Sequence, residues 1–359
     1  MAEPLKDQYT QDWITQLGLA IQTVDSGFNQ KHFLKRVLDD QWELRELKDR
    51  MRHIAEVMNQ NISGDYSDQI AVLSRVAPHF KGLTALVFPT FVELYGLDNF
   101  ERSIEALEVF TCYSTAEFAI RPFIVKYPDT MKKMLEWSEH DNFHVRRLAS
   151  EGCRPLLPWA MKLKAFEKDP TPILPILENL RNDPEDYVYR SVANNLNDIS
   201  KNHPDLVLDL CESWINESKT THWVCKHALR TLLKKGNQRA MQLFGFGSVD
   251  QLDLLKFELK NSPIKIGDGT TFELILKNTG AQQKFRLEYA IGYLKKAGHH
   301  NEKVFQIKET ALKQKQETKI VKKLLFKNLT TRKHYKGQHY IYLIINGKKI
   351  VKREFELVH

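Results

Sequence analysis

The stretch PDTMKKMLEWSEHDNFHVRRLASEGCRPLLPW, residues 128–159, reads as a helix, a polar turn at Asp141-Asn142, and a second helix running into two prolines and a tryptophan. In the second helix Val145, Leu148 and Ala149 recur at helical spacing and mark the face that packs inward. The same layout returns twice. TPILPILENLRND, Pro184-Glu185 and DYVYRSVANNLNDIS form one copy, and PDLVLDLCESWINES, Lys219-Thr220 and THWVCKHALRTLLKKG another. A weaker copy precedes them in NFERSIEALEVFTCY and STAEFAIRPFIVKY.

Val145, Val188 and Val224 occupy matching places, 43 and 36 residues apart. That period is near the roughly 40–47 residues of HEAT and armadillo units. A helix pair of this kind buries its apolar face only against its neighbours, so the copies are expected to stack into a curved solenoid with the second helices on the concave side. Upstream, FLKRVLDDQWELRELKDRMRHIAEVM, residues 33–58, carries helical periodicity without a glycine or proline and is expected to be one unbroken helix.

After about residue 248 the pattern changes. TTFELILKNTG, KFRLEYAIGYLK, EKVFQIKETAL, KIVKKLLFKNL and QHYIYLIINGKKIVKREFELV are short runs, often alternating, rich in Phe, Tyr, Ile and Val. Asn346-Gly347 signals a hairpin, because a type I′ turn needs positive φ at both central residues. About seven antiparallel strands in this span fit an immunoglobulin-like β-sandwich. The expected architecture is therefore multidomain: an all-α HEAT-like-repeat solenoid over residues 1–247, then an all-β sandwich over residues 252–359, with GFGSVDQ at Gly245–Gln251 as the linker.

Charge follows the same division. Gln251–His359 holds 23 Lys and Arg against 10 Asp and Glu, a net +13, whereas the preceding residues hold 30 against 35, a net −5. Such asymmetry suits a polyanionic partner, nucleic acid above all, although a solvated lysine-rich surface has the same composition. No apolar run reaches the length of a transmembrane helix, and the first residues show no basic region followed by an apolar one. Cys112, Cys153, Cys211 and Cys225 form no C-x-x-C pair and read as small buried thiols of a reducing cytosol.

The second helices also carry chemistry. Arg147, Glu151 and Arg154 fall at i, i+4 and i+7 and would share a face; Arg190, Asn194 and Asp198 fall at i, i+4 and i+8 in the next copy; Glu117 and Arg121 form an earlier i, i+4 pair. Each second helix would then present an acid with its own basic or amide neighbour. Ion-pair ladders between repeats use the same spacing, at about 0.3–0.5 kcal/mol per exposed pair. Trp159 taken alone reads as a core residue. His299-His300 has no third ligand at metal spacing. There is no Walker loop, nucleophile elbow or H-E-x-x-H motif, and Gly245–Gly247 is too short to imply a nucleotide site.

From Phe91 to Trp214 the chain resembles the AlkC branch of the HEAT-like-repeat alkylpurine DNA glycosylases. The likeness is carried by VELYG, SIEALEVFT, STAEFAIRPFI, HVRRLASEGCRPLLPWA and SVANNLNDISKNHPDLV, and that branch also places a sandwich-like domain after the solenoid. Tyr189 stands where the family pattern has a basic residue, with Arg190 beside it as the alternative backbone contact. The resemblance implies base excision repair: release of cationic alkylated purines, notably 3-methyladenine, from duplex DNA without deep base flipping and with no metal or other cofactor. It makes Glu117, Glu151 and Asp198 the candidate catalytic acids. It lays Trp159 against the lesion and sets Arg147, Arg154 and Arg190 on phosphates, with Arg146 and Asn194 in the same DNA-facing set.

The chemistry suits these residue types. A purine alkylated at N3 or N7 is already a cationic leaving group, so the sugar, which becomes oxocarbenium-like, needs the stabilisation. A fixed carboxylate supplies it and orients water, while neighbouring arginines keep that carboxylate ionised and hold phosphates. The expected partner is double-stranded DNA containing alkylated bases, met in the bacterial cytoplasm at the nucleoid; no membrane is involved and a monomer suffices. Lys322, Lys323 and Lys333 belong to a span, Lys313–Gln338, with nine basic residues and one acid, and are expected to touch DNA. The competing reading is a non-catalytic HEAT scaffold or DNA-binding protein, which would release no free base.

Overall fold

The computed structural model describes residues 4–329 and 332–359. The helical region begins with α1 (Gln11–Val24), α2 (Gln30–Val37), α3 (Leu47–Asn61) and α4 (Tyr66–Val76), followed by α5 (Val87–Tyr95), α6 (Phe100–Phe110) and α7 (Ile120–Lys126). The repeated segment supplies α8 (Asp129–Trp137), α9 (Phe143–Gly152), a short α10 (Lys164–Lys168), α11 (Leu174–Leu180) and α12 (Asp186–Ile199). The last helices are α13 (Pro204–Trp214), α14 (Lys219–Ala228), α15 (Arg230–Lys234) and α16 (Gln238–Leu243). Helix starts follow local chemistry. The Thr10 hydroxyl accepts from Trp13 N, Asp65 and Asp68 close a reciprocal capping box, and the Asn142 side chain accepts from His144 N.

The continuous helix expected over residues 33–58 is interrupted. Asp39, just past α2, accepts from Gln41 N at 3.0 Å and from Arg45 Nη2 at 2.8 Å, and Trp42 turns into the core within a short 3₁₀ turn. An aspartate that captures a backbone N–H competes with the helix ladder, and apolar spacing carries no sign of that competition. The helix expected after Lys219-Thr220 also differs: α14 begins at Lys219 itself and the chain breaks at Leu229 before α15.

The repeat alignment is realised as stacked pairs. Val145, Val188 and Val224 are all buried. Across the α9–α12 contact the Ser150 and Ser191 hydroxyls meet at 3.0 Å, and Asn195 Nδ2 donates to Ser150 O at 2.8 Å. These buried polar atoms tie consecutive repeats at a defined register rather than through apolar contact alone.

Among the described residues the strands are β1 (Leu252–Leu259), β2 (Ile264–Lys265), β3 (Gly269–Asn278), β4 (Gln283–Leu294), β5 (His300–Leu312), β6 (Glu317–Leu325), β7 (Gly337–Ile345) and β8 (Lys348–Val358). They form a three-stranded sheet, β1-β3-β6, and a five-stranded sheet, β2-β8-β7-β4-β5. The immunoglobulin-like sandwich is as expected, with two additions. β1 carries a bulge between Leu254 and Lys256 that spoils its alternation, and the two-residue β2 pairs parallel to β8. Phe272, Leu274 and Leu276 of β3 meet Phe285 and Leu287 of β4 and Ile341 and Leu343 of β7 in the core.

Asn346 and Gly347, at φ 46° and 76°, make the hairpin turn that the sequence signals. The Asn346 side chain accepts from Arg286 N at 2.7 Å and donates to Gly247 O at 2.8 Å. Gly347 lies against Gly236, itself at φ 74°, so closely that a Cβ built on Gly236 would stand 2.6 Å from Gly347 O.

The chain packs as two compact units, one of residues up to His203 with Ser213–Ala228, the other of Pro204–Glu212 with Leu229–His359. The second unit thus contains α15, α16 and most of α13 beside the strands.

Candidate active site

The last turn of α9 places Glu151 one turn after Arg147, and the helix stops at Gly152. Arg154 therefore leaves from the turn beyond the helix, not from its face. This freedom lets its guanidinium reach two carboxylates, Glu151 through Nη1 at 2.6 Å and Asp198 on α12 through Nε at 3.0 Å. Arg147 extends the series the other way, to Glu117 at 2.6 Å and Glu151 at 3.7 Å. Lys201 closes the far end on Asp198 Oδ1 at 2.9 Å.

The result is an alternating row, Glu117–Arg147–Glu151–Arg154–Asp198–Lys201, that crosses three successive repeats. Its three carboxylates and two arginines are largely buried, so the pairs are screened little by salt. Glu151 pairs with Arg147 and Arg154 of its own repeat, and the same arginines also pair between repeats, with Glu117 and Asp198, whereas the sequence suggested one acid and its own neighbour on each helix. Glu117 precedes α7 in a turn, and its expected partner Arg121 points elsewhere.

Electrostatics within the row are uneven. Burial pushes the Glu117 carboxyl up; Arg147 opposes this by charge and hydrogen bond, and the Glu151 carboxylate adds to the rise. Burial alone would lower the Arg147 guanidinium, but Glu117 and Glu151 outweigh it and raise it. Arg147 also donates to Thr115 Oγ1 at 2.8 Å and lies 4.4 Å over the Tyr187 ring. The carboxylate oxygens differ too. Glu117 meets Arg147 through both oxygens, and Asp198 meets Arg154 and Lys201 through one each. Glu151 stands between both arginines, its Oε1 accepting from Arg154 Nη1 at 2.6 Å and lying 3.7 Å from Arg147 Nη2.

Trp159 is 66% exposed, not the core residue that its sequence context suggested. Its backbone sits at φ 64°, a left-handed conformation costing a bulky residue about 1–3 kcal/mol. Arg121, fully buried, fixes the loop on which Trp159 stands: Nη1 donates to Gly152 O at 2.7 Å and Nε to Met161 O at 2.8 Å. Burial pushes the Arg121 guanidinium down to about 10.

The remaining candidates lie outside this row. Arg146 is clamped between repeats on Asp183 at 2.6 Å, and its Nη1 donates to the carbonyls of His140 and Asp141. Arg190 is exposed, pairs with Asp186 at 3.0 Å and lies 5.1 Å over the Trp223 ring. Asn194, at the repeat position matching Glu151, meets His227 Nε2 at 3.2 Å. Lys322 and Lys323 are neighbours on β6 and face opposite sides of the sheet; Lys322 is half-buried and Lys323 exposed. Lys333 is exposed in the following loop. Sequence reading missed Thr115, Tyr187 and Lys201. Tyr187 aligns with His144 in the repeats, and Lys201 stands at i+3 from Asp198, so both positions carried a signal.

Among the described residues, no group of three or more His, Cys, Asp and Glu could hold a metal ion, and no helix is long and apolar enough to cross a membrane. A family model described as DNA alkylation repair enzyme matches residues 87–232, and a second, described as the C-terminal Ig-like domain of uncharacterised protein YhaZ, matches residues 253–359. The chain is 44% identical over 355 residues to the uncharacterised YhaZ of Bacillus subtilis (strain 168), covering 98% of this chain and 99% of that protein. It also superposes with a TM-score of 0.96 and 37% identity on the Pseudomonas fluorescens alkylpurine DNA glycosylase AlkC bound to DNA containing an abasic site analog, covering 99% of this chain and 100% of that one. With that identity sustained over the full length of both chains, this protein belongs to the AlkC-type alkylpurine DNA glycosylases, a family of DNA alkylation repair proteins.

Proposed function

We propose that the protein hydrolyses the N-glycosidic bond of cationic alkylated purines, 3-methyladenine and its relatives, in duplex DNA. The observation that carries this reading is the buried row of alternating carboxylates and arginines spanning three repeats. An alkylated purine departs as a neutral base, so the positive charge passes to the deoxyribose in the transition state. A carboxylate already held in place stabilises that charge without reorganising.

Glu151 is the acid best suited to the sugar. It sits at the middle of the row with an arginine on either side, which holds the carboxylate in place to meet the developing cation or to orient the attacking water. Asp198 and Glu117 flank it and take part of the charge of Arg154 and Arg147, so the two cations are shared rather than spent on Glu151 alone. Trp159, exposed on its strained loop, lies against the damaged nucleotide from outside the stack, so deep base flipping is unnecessary. Arg190, outside the row, holds Asp186 in an exposed pair that it can exchange for a phosphate; Arg147 and Arg154 act chiefly by holding the acids. Lys323 and Lys333, with Lys322 behind them, add phosphate contacts from the sandwich, and a monomer suffices.

The test is incubation with methylated duplex DNA and chromatography of the released purine. Wild type releases free base; Glu151→Gln and Asp198→Asn abolish release while leaving duplex affinity nearly intact. Excision within a few-fold of wild type in both variants would show that the acids are assigned wrongly.

A further inference from the structure

Trp159 needs a reason to stay where it is. The residue is 66% exposed, so packing holds it little, and its φ of 64° is one that an L-residue with a large side chain leaves when it is free to do so. Arg121 anchors only the two ends of the loop, at Gly152 and Met161. Pro155 O accepts from Leu163 N at 3.1 Å and closes the loop on itself, and Ala160 N donates to Leu157 O at 3.4 Å across the turn that contains Trp159, without engaging the Trp159 carbonyl. The contact at Trp159 itself comes from a distant part of the chain. Lys48, on α3, donates from Nζ to Trp159 O. The same ammonium lies 4.7 Å from the centroid of the Phe118 ring, next to Glu117. One exposed cation from the N-terminal helices thus bridges the loop bearing the aromatic and the turn bearing the first acid.

We infer that Lys48 is a positioning residue for excision: it holds the Trp159 carbonyl, and through it the strained backbone, so that the indole is presented at a fixed distance from the acidic row. This rests on the glycosylase reading above. The N-terminal helices then contribute to the site through Lys48 on α3. A lysine suits the role, since a single ammonium satisfies a carbonyl and an aromatic face together. A small loss of orientation at a site of this kind is costly, with a misplacement of about 1 Å lowering a rate up to about a hundredfold.

The experiment uses the full chain and methylated duplex DNA, with Lys48→Met, Lys48→Arg, Trp159→Ala and the Lys48→Met/Trp159→Ala double variant. Lys48 is exposed, so the fold survives its replacement. Lys48→Met should lower the single-turnover excision rate at saturating DNA on the order of tenfold, with half-saturation little changed. Lys48→Arg should restore most of the rate, and Lys48→Met should add little to Trp159→Ala. A second arm needs no activity: the fluorescence of Trp159, isolated by difference against Trp159→Phe, should lose anisotropy in Lys48→Met. If wild type releases no base, the glycosylase reading fails and the fluorescence arm alone decides. Losses that multiply in the double variant, no rescue by arginine, or unchanged Trp159 anisotropy would each overturn the inference.

Discussion

Replacing Arg147 with methionine removes the cation opposite Glu117 and leaves a buried carboxylate without its partner. An uncompensated charge at such a site costs about 3–5 kcal/mol. The carboxyl has an escape, which is to take up a proton. At pH 7 that costs about 3.7 kcal/mol for an ordinary glutamate, at 1.36 kcal/mol per pH unit above about 4.3. The loss on this account is therefore capped near 3.7 kcal/mol at pH 7 and near about 1.6 kcal/mol at pH 5.5. The lost stacking on Tyr187 adds about 0.5–1 kcal/mol at either pH.

The direction follows from linkage. Without Arg147 the folded-state pKa of Glu117 lies further above its unfolded value. Its contribution is then fully present below the unfolded pKa and is lost as pH rises through the folded one. Thermal melts of Arg147→Met and wild type, compared at pH 5.5 and 7, should differ by roughly 8–19 °C at neutral pH and by about half of that at pH 5.5. Adding Glu117→Gln to Arg147→Met should recover most of the neutral-pH loss, since no charge is then stranded. A difference in melting temperature that does not change with pH, or a double variant no better than the single, would refute the account of a stranded carboxylate.

Charge reversal at Lys322, Lys323 and Lys333 should weaken duplex binding and lower the slope of log affinity against log salt by about one for each phosphate contact removed. Titrations at several salt concentrations measure it, and the half-buried Lys322 should contribute least. Gly236→Ala places a methyl against the Gly347 backbone at a positive φ and should destabilise the second unit by about 2–4 kcal/mol, seen as a lowered melting temperature. Burial, followed by neighbouring positive charge, lowers the pKa of His334; burial, partly offset by the Tyr335 carbonyl, lowers that of His339. Both stay neutral in the folded state below the ordinary histidine range of about 6.5, so stability should fall as pH drops below that value. A fall that persists unchanged in a His334→Gln/His339→Gln variant would assign the acid sensitivity elsewhere.

The repeats were legible in the sequence because stacking is a local rule: each helix pair shows its buried face in its own spacing, and Val145, Val188 and Val224 kept register. The sandwich was legible for the same reason, through alternation and through Asn346-Gly347, whose backbone preference is intrinsic to the residues. The break between α2 and α3 was not, because it depends on which backbone N–H the Asp39 side chain takes. The acids themselves could be named from their strings, since the likeness to AlkC is a property of sequence.

What only the tertiary structure decided is who pairs with whom. Arg147 and Arg154 reach into neighbouring repeats, Arg121 forsakes its i, i+4 carboxylate for two backbone carbonyls, and Lys48 crosses from α3 to the Trp159 loop. Such contacts join residues 30 to 111 positions apart. Long flexible side chains choose partners by distance in space, and spacing along a helix predicts that choice only when nothing nearer is brought in by the fold.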